Sequence, residues 1–241
     1  MQKVAKPSLF FTDKSNIRLG FEIECYIKEK HKDEFQKQIS DLNKEVIFDD
    51  DESIELPDSY CGNSACYGYG YDGGVTFELQ TPVLPPKSAM KLLSGIFEVL
   101  QKYGGTNHSC GLHLNISSTD KNRMKNFDPF PFTHSPIWSK LLKDFRREGN
   151  DYCNHNYDVR ETPMQYLERL ADSYGGDEDF TDKYNCVNLS NWSGGNQSHS
   201  RIEIRGMGNE KYHYRYNTIA KYANRIIKLF ILSCEQRKLR V

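Results

Sequence analysis

Apolar and polar positions alternate most strictly at residues 19–27, LGFEIECYI. Leu19, Phe21, Ile23, Cys25 and Ile27 share one parity, and Glu22, Glu24 and Tyr26 share the other. A period of two marks a strand with one face on a core. The same rule predicts strands at 75–81, 111–117, 184–191 and 201–206. Between them the period lengthens to that of a helix. Phe35, Ile39 and Leu42 give one over 32–43. Leu92, Leu93, Ile96, Phe97 and Leu100 give another over 87–103, entered at Pro85-Pro86 and stopped by Gly104-Gly105. Ser135-Pro136 is an N-cap followed by a first-turn proline, ahead of Ile137, Trp138, Leu141, Leu142 and Phe145. Thr162-Pro163-Met164-Gln165 repeats that signal as a capping box, closed by Gly175-Gly176. Asn209 is the expected cap of a last long helix with Ile219, Ala223, Ile226, Ile227, Phe230 and Ile231 as its buried stripe. Strands come in pairs between helices and do not alternate with them one for one. That order predicts an α+β fold: an antiparallel or mixed sheet with helices packed on one face, in a single domain over 1–241.

Composition narrows the function classes. Lys plus Arg number 32 against 33 Asp plus Glu, a formal net charge of −1. So even a balance gives no field for nucleic acid or for an anionic membrane surface. No apolar run approaches a membrane span, and MQKVAKPSLFFTDKSN has no apolar stretch of secretory-signal length. Seven Cys at irregular spacing do not read as a disulfide framework, so a reducing cytoplasm is the expected compartment. Cys61, Cys66, His108 and Cys110 form an alternative zinc set, with loose C-x4-C and H-x-C spacing.

The polar parity of the predicted strands carries the chemistry. It holds Glu22 and Glu24 in the first, Thr76, Glu78 and Gln80 in the second, and His113 and Asn115 in the third. Asn188 and Ser190 follow in the fourth, then Arg201, Glu203 and Arg205 in the fifth. Any one of these sets alone describes a face turned to water. Taken together they are nearly all ligand-type residues, without the scatter of Lys and Thr that a solvated sheet shows. If the strands share one sheet, Glu22, Glu24, Glu78, Glu203, His113 and Arg205 converge on one surface. Four crowded carboxylates repel one another, and bound cations relieve that repulsion. Oxygen-rich ligands with a single imidazole suit Mg2+ or Mn2+ better than Zn2+. The string Gly68-x-Gly70-x-x-Gly73 leads into a strand, which excludes a dinucleotide fingerprint, and no Walker A or kinase catalytic segment accompanies it.

Four segments together resemble a known family. G-F-E-I-E at 20–24, F-E-L-Q-T-P at 77–82, C-G-L-H-L-N at 110–115, and N-L at 188–189 followed by R-I-E-I-R-G at 201–206 are similar, in order and spacing, to the motifs of phage- and microbe-encoded amidoligases. These belong to the carboxylate–amine ligase superfamily with glutamine synthetase. The resemblance runs from about residue 18 to the C-terminal helix. It implies a glutamine-synthetase-like catalytic fold and an ATP- and Mg2+-dependent (or Mn2+-dependent) enzyme that joins a small-molecule or peptide carboxylate to an amine through an acyl phosphate. It further implies metal ligation by Glu22, Glu24, Glu78, Glu203 and His113. Catalytic roles fall to Arg205, His113 and Glu203, and nucleotide contacts to Asn115, Asn188, Arg201 and Gln80. Either Asp51 or Asp72 matches the acid of the family's D-x-S segment, and H-x-N stands where many members have H-x-H. A homo-oligomer and a cytoplasmic location, the host's if the chain is phage-encoded, are compatible with the resemblance. A catalytically silent member with a structural or binding role, and a metal-dependent kinase or hydrolase on the same sheet, are the alternatives.

Overall fold

The computed structural model describes residues 16–57, 73–148, 153, 165, 185–192 and 200–235. The strands are β1 (Ile17–Lys28), β2 (Ile47–Asp50), β3 (Gly74–Gln80), β4 (Gly104–Gly105), β5 (Gly111–Ser118), β6 (Val187–Asn188) and β7 (Ile202–Gly208). The helices are α1 (Lys32–Leu42), α2 (Pro86–Tyr103), α3 (Lys121–Lys125), α4 (Pro129–Thr133), α5 (Ile137–Phe145) and α6 (Tyr216–Glu235). The chain is therefore α+β, as the pairing of strands between helices predicts. Among the described residues the seven strands join one sheet in the order β2-β3-β1-β5-β7-β6, with β4 paired to β1, and every pairing is antiparallel.

Strand β1 sits in the middle because its apolar parity is unbroken. Ile17, Leu19, Phe21, Ile23, Cys25 and Ile27 are all buried, and β3 and β5 flank them with Phe77, Leu79, Leu112, Leu114 and Ile116. Helix α2 covers this face with Leu93, Ile96, Phe97 and Leu100, and α1 adds Phe35, stacked on Phe77 with ring centroids 6.2 Å apart. Each such side chain contributes roughly 1.5–3 kcal/mol by leaving water. Helix α5 packs on β7, where Gly206 makes room: a Cβ there would collide with Leu141 Cδ2. Helices α4 and α6 dock on each other, and Phe127, just before α4, stacks on Phe230 of α6 at 5.6 Å.

Several boundaries differ from the sequence expectation. Asn209 does not cap the last helix. It adopts φ 80° in the turn leaving β7, its side chain accepts from Glu210 N, and its own N–H donates to Cys110 O. A 3-10 turn at Tyr212–Tyr214 then intervenes, and α6 begins at Tyr216. The strand expected at 184–191 is reduced to Val187–Asn188, because Asn188 Oδ1 accepts from Ser190 N and Trp192 N bonds back to Leu189 O. That local side-chain bond turns the chain out of the ladder. The short edge strand β2 and the small helices α3 and α4 are additions to the expected elements. Helix α5 starts one residue later than expected, with Pro136 and not Ser135 at its cap position, although the Ser135 hydroxyl still accepts from Ile137 N at 3.4 Å. The helix expected from Thr162 to Gly176 and most of the loops at 57–74 and 192–200 lie outside the described residues. Among the described residues no helix is long and apolar enough to cross a membrane.

Candidate metal centre

Cross-strand register decides which polar side chains meet. In the first row Asp49 of β2 pairs with Glu78 of β3, and Glu78 pairs with Glu24 of β1. One step along, Gln80 pairs with Glu22, which pairs with His113 of β5. A further step aligns Gly20, Asn115, Glu203 and Asn188 across β1, β5, β7 and β6. Members of adjacent strands in direct register face the same side. The polar faces therefore form one surface, as the parity of the strands predicts. The β5–β7 register shifts between Leu112 and Leu114, so that Arg205 and Gly206 together oppose His113. Bulges of this kind re-aim side chains.

His113 is the centre of the cluster and is 2% exposed. Its Nδ1 lies 2.9 Å from Glu22 Oε2 and 3.4 Å from Glu203 Oε1, and its Nε2 lies 3.3 Å from Glu24 Oε1. Two triads of ligand atoms result, Glu22–His113–Glu203 and Glu24–Glu78–His113, each with all of its atoms within 4.8 Å of one another. Every member lies on a sheet strand, which gives the set a rigid backbone.

The amides and arginines around the cluster hold its carboxylates in place. Asn115 Nδ2 donates to Glu22 Oε1 at 2.9 Å, Asn188 Nδ2 to Glu203 Oε2 at 2.8 Å, and Gln80 Nε2 to Glu78 Oε1 at 3.0 Å and Asp49 Oδ2 at 2.8 Å. Arg205 donates from Nη1 to Glu203 Oε1 at 2.7 Å, and Arg201 from Nε to Asn115 Oδ1 at 3.0 Å. The charges are segregated, with Asp49, Glu78 and Glu24 toward the β2 edge and Arg201 and Arg205 on the β7 side.

Electrostatics separates two of the glutamates. Burial pushes the Glu22 carboxyl up, but the His113 bond and charge, Asn115 and Arg201 outweigh it and hold Glu22 below the usual value. Burial raises Glu78, and the nearby Glu22 charge raises it further, against a partial offset from the Gln80 bond. The His113 charge offsets this only in part, so the ionised Glu78 is under-compensated, and a divalent cation would supply the missing charge. Hard oxygen donors and one imidazole per triad fit Mg2+ or Mn2+.

The structure brings together Glu22, Glu24, Glu78, Glu203, His113 and Arg205, with Asn115, Asn188, Arg201 and Gln80 around them. Asp51 is engaged elsewhere, accepting from the N–H and hydroxyl of Ser53 in its own turn. Asp72, Cys61 and Cys66 lie outside the described residues. Of the alternative zinc set, His108 is exposed beside Glu55 at 3.1 Å, whereas Cys110 is buried and its thiol is pushed up to about 12 by that burial. No candidate metal group among the described residues includes a cysteine.

Three contacts at the cluster were not anticipated by sequence. Asp49 reaches the cluster only through the short edge strand β2. The Gly111 N–H donates to Glu24 Oε2 at 2.5 Å, and a Cβ on Gly111 would come within 2.8 Å of His113 Nε2. The Tyr212 hydroxyl anchors the Glu24 carbonyl oxygen at 2.7 Å. Gly111 had a signal, a glycine two residues before the histidine on the same strand; Asp49 and Tyr212 had none. Compared with known proteins, the chain matches no protein-family model and no curated protein sequence.

Proposed function

We propose that the chain is an ATP- and Mg2+-dependent carboxylate–amine ligase of glutamine-synthetase-like fold, acting in the cytoplasm on a small-molecule or peptide carboxylate and an amine. The observation that carries this reading is the pair of carboxylate triads sharing His113 on one sheet face. The order and spacing of the motifs around them support it. Glu22 and Glu203, or Glu24 and Glu78, would hold a cation together with whichever His113 ring nitrogen carries the lone pair, and the other carboxylate pair would take a second cation through oxygens alone. Bound there, Mg2+ or Mn2+ would neutralise the charge of the nucleotide phosphates.

The chain's own residues then have distinct tasks. Asn115, Asn188 and Gln80 keep the carboxylates oriented, so that little reorganisation accompanies binding. Arg201 and Arg205 place positive charge on the β7 side, where phosphoryl oxygens gather negative charge during transfer. In the first step a substrate carboxylate oxygen attacks the γ-phosphorus of ATP and ADP leaves. In the second the amine nitrogen attacks the acyl carbon, inorganic phosphate leaves, and the nitrogen gives up a proton. The acidic side of the face, toward Asp49, suits a cationic or polar amine by charge.

The test is incubation of the chain with ATP, Mg2+ and pools of carboxylates and amines, read by mass spectrometry. Amide product with stoichiometric ADP and phosphate is the expected result. A phosphorylated amine would replace the ligase with a kinase, and metal-dependent cleavage without ATP would replace it with a hydrolase. Absence of both nucleotide binding and turnover would leave a catalytically silent member.

A further inference from the structure

Arg147 is a buried cation that the proposed chemistry does not use. It follows α5, which closes with Arg146 in the left-handed region (φ 53°), and the Arg147 N–H donates back to Leu142 O at 2.8 Å. Arg147 is only 3% exposed. Its guanidinium donates from Nη1 to Cys110 O at 3.1 Å and from Nε to Cys153 Sγ at 3.3 Å. Removing a guanidinium from water costs several kcal/mol, so the bonds that a buried Arg147 donates must offset a large penalty.

The Cys110 carbonyl and the Gly111 N–H are two ends of one peptide group. Arg147 and the N–H of Asn209, 2.8 Å away, both donate to the oxygen end. The nitrogen end donates to Glu24 Oε2 at 2.5 Å. Hydrogen bonds in series polarise one another, and a charged donor strengthens the first of them. With Oε2 pinned, Glu24 presents Oε1 toward His113 Nε2 at 3.3 Å.

We propose that Arg147 is a positioning residue for the metal centre, acting through the Cys110–Gly111 peptide to fix Glu24 so that one carboxylate oxygen stays aimed at the Glu78–His113 side. This rests on the cluster being a divalent-cation site. Sequence alone did not single Arg147 out, because it sits in no motif and on no strand.

Two readouts test the link in the full chain, using Arg147→Met and Arg147→Lys. Labelling with 13C-cysteine and 15N-glycine isolates two peptides, since Cys-Gly occurs only at 61–62 and 110–111. The Gly111 amide proton of the parent is expected well downfield of an ordinary glycine amide. It moves upfield in the Met variant and sits between the two in the Lys variant. Mn2+ binding follows the same order, weakening roughly tenfold or more in the Met variant. A folded Met variant with an unmoved Gly111 amide, or a parent amide that is not downfield, overturns the Arg147 link while leaving the metal centre standing. Should the Met variant not fold, an unmoved amide in the Lys variant does the same. A parent that binds no Mn2+ removes the metal centre itself, and the proposal with it.

Discussion

Glu22 and His113 lie directly opposite each other on β1 and β5, with Glu22 Oε2 2.9 Å from His113 Nδ1. The other ring nitrogen faces Glu24 Oε1 at 3.3 Å. A neutral imidazole carries one N–H, so it can donate to only one of these two carboxylates. Its remaining lone pair then points at a carboxylate oxygen's own lone pairs unless a proton or a cation lies between them. A divalent ion satisfies lone pair and carboxylate at once, and this makes His113 the hinge of both triads.

Glu24→Gln separates site from scaffold. The amide keeps an acceptor for the Gly111 N–H and removes one of several crowded charges. Metal-free stability is expected to stay within about 1 kcal/mol of the parent, the usual range for a substitution that breaks no buried network. The rise in melting temperature on adding Mg2+ or Mn2+ is expected to shrink to a small fraction of the parent's. Chemical denaturation with and without metal measures both. A metal-free loss above about 3 kcal/mol would make Glu24 a structural residue.

The opposed shifts of Glu22 and Glu78 give opposite pH signatures. Glu22 is held below the ordinary value of 4.5, so its contribution to stability is full above that value and is lost as pH falls through its lower folded value. Glu78 is raised above 4.5, so the metal-free fold loses stability as pH rises from there through the raised value. Glu78→Gln removes that second loss. The variant's stability relative to the parent should therefore increase as pH rises from about 4 to about 7, in the absence of metal. Mn2+ binding by the parent should weaken as pH falls through the same window, because the cation displaces the proton. Urea denaturation and Mn2+ titration across that range check both, and a pH-independent difference between parent and variant would contradict the assignment.

Gly111→Ala tests how closely backbone approaches the cluster. The added methyl would lie 2.8 Å from His113 Nε2 and 3.1 Å from Glu24 Oε1, both nearer than van der Waals contact. The ring and carboxylate must move apart to admit it. Mn2+ affinity is expected to fall by roughly tenfold or more, with a stability loss of about 1–3 kcal/mol from overpacking. Isothermal titration on the folded variant decides; unchanged affinity would show that the spacing is not set by Gly111.

His213 predicts an acid sensitivity unrelated to the metal centre. It is buried, its Nδ1 lies 3.0 Å from Thr106 Oγ1, and burial lowers it to about 4, with the Lys211 charge adding to the shift. The neutral form is favoured in the fold, so this contribution is complete above the ordinary value of 6.5 and is lost as pH falls toward 4. Between about pH 7.5 and pH 5 the loss amounts to about 2 kcal/mol. A His213→Gln variant should show a correspondingly flatter stability profile over that interval in urea denaturation.

Much of this arrangement is legible in the sequence because β1 alternates without a break, and parity alone assigns Glu22 and Glu24 to the face away from Phe21 and Ile23. Helix α2 is equally legible, bounded by Pro86 and Gly104. Register is not. That Glu22 meets His113 while Glu24 meets Glu78 depends on which strands pair and at what offset, and on the bulge at Arg205-Gly206. The edge strand β2 escapes notice because Ile47 is exposed and the strand is only four residues long, so Asp49 reads as part of an acidic run. Asn209 misleads for a local reason: it has the residue type of a helix cap, but its left-handed backbone serves the turn after β7.

The most direct measurement is a Mn2+ titration of the parent and of His113→Ala, followed by the loss of the free-ion electron paramagnetic resonance signal. Both triads share the His113 ring, so saturable binding by the parent that the variant lacks, with the variant still folded by circular dichroism, is the predicted result. No binding by the parent, or equal binding by both proteins, would contradict it.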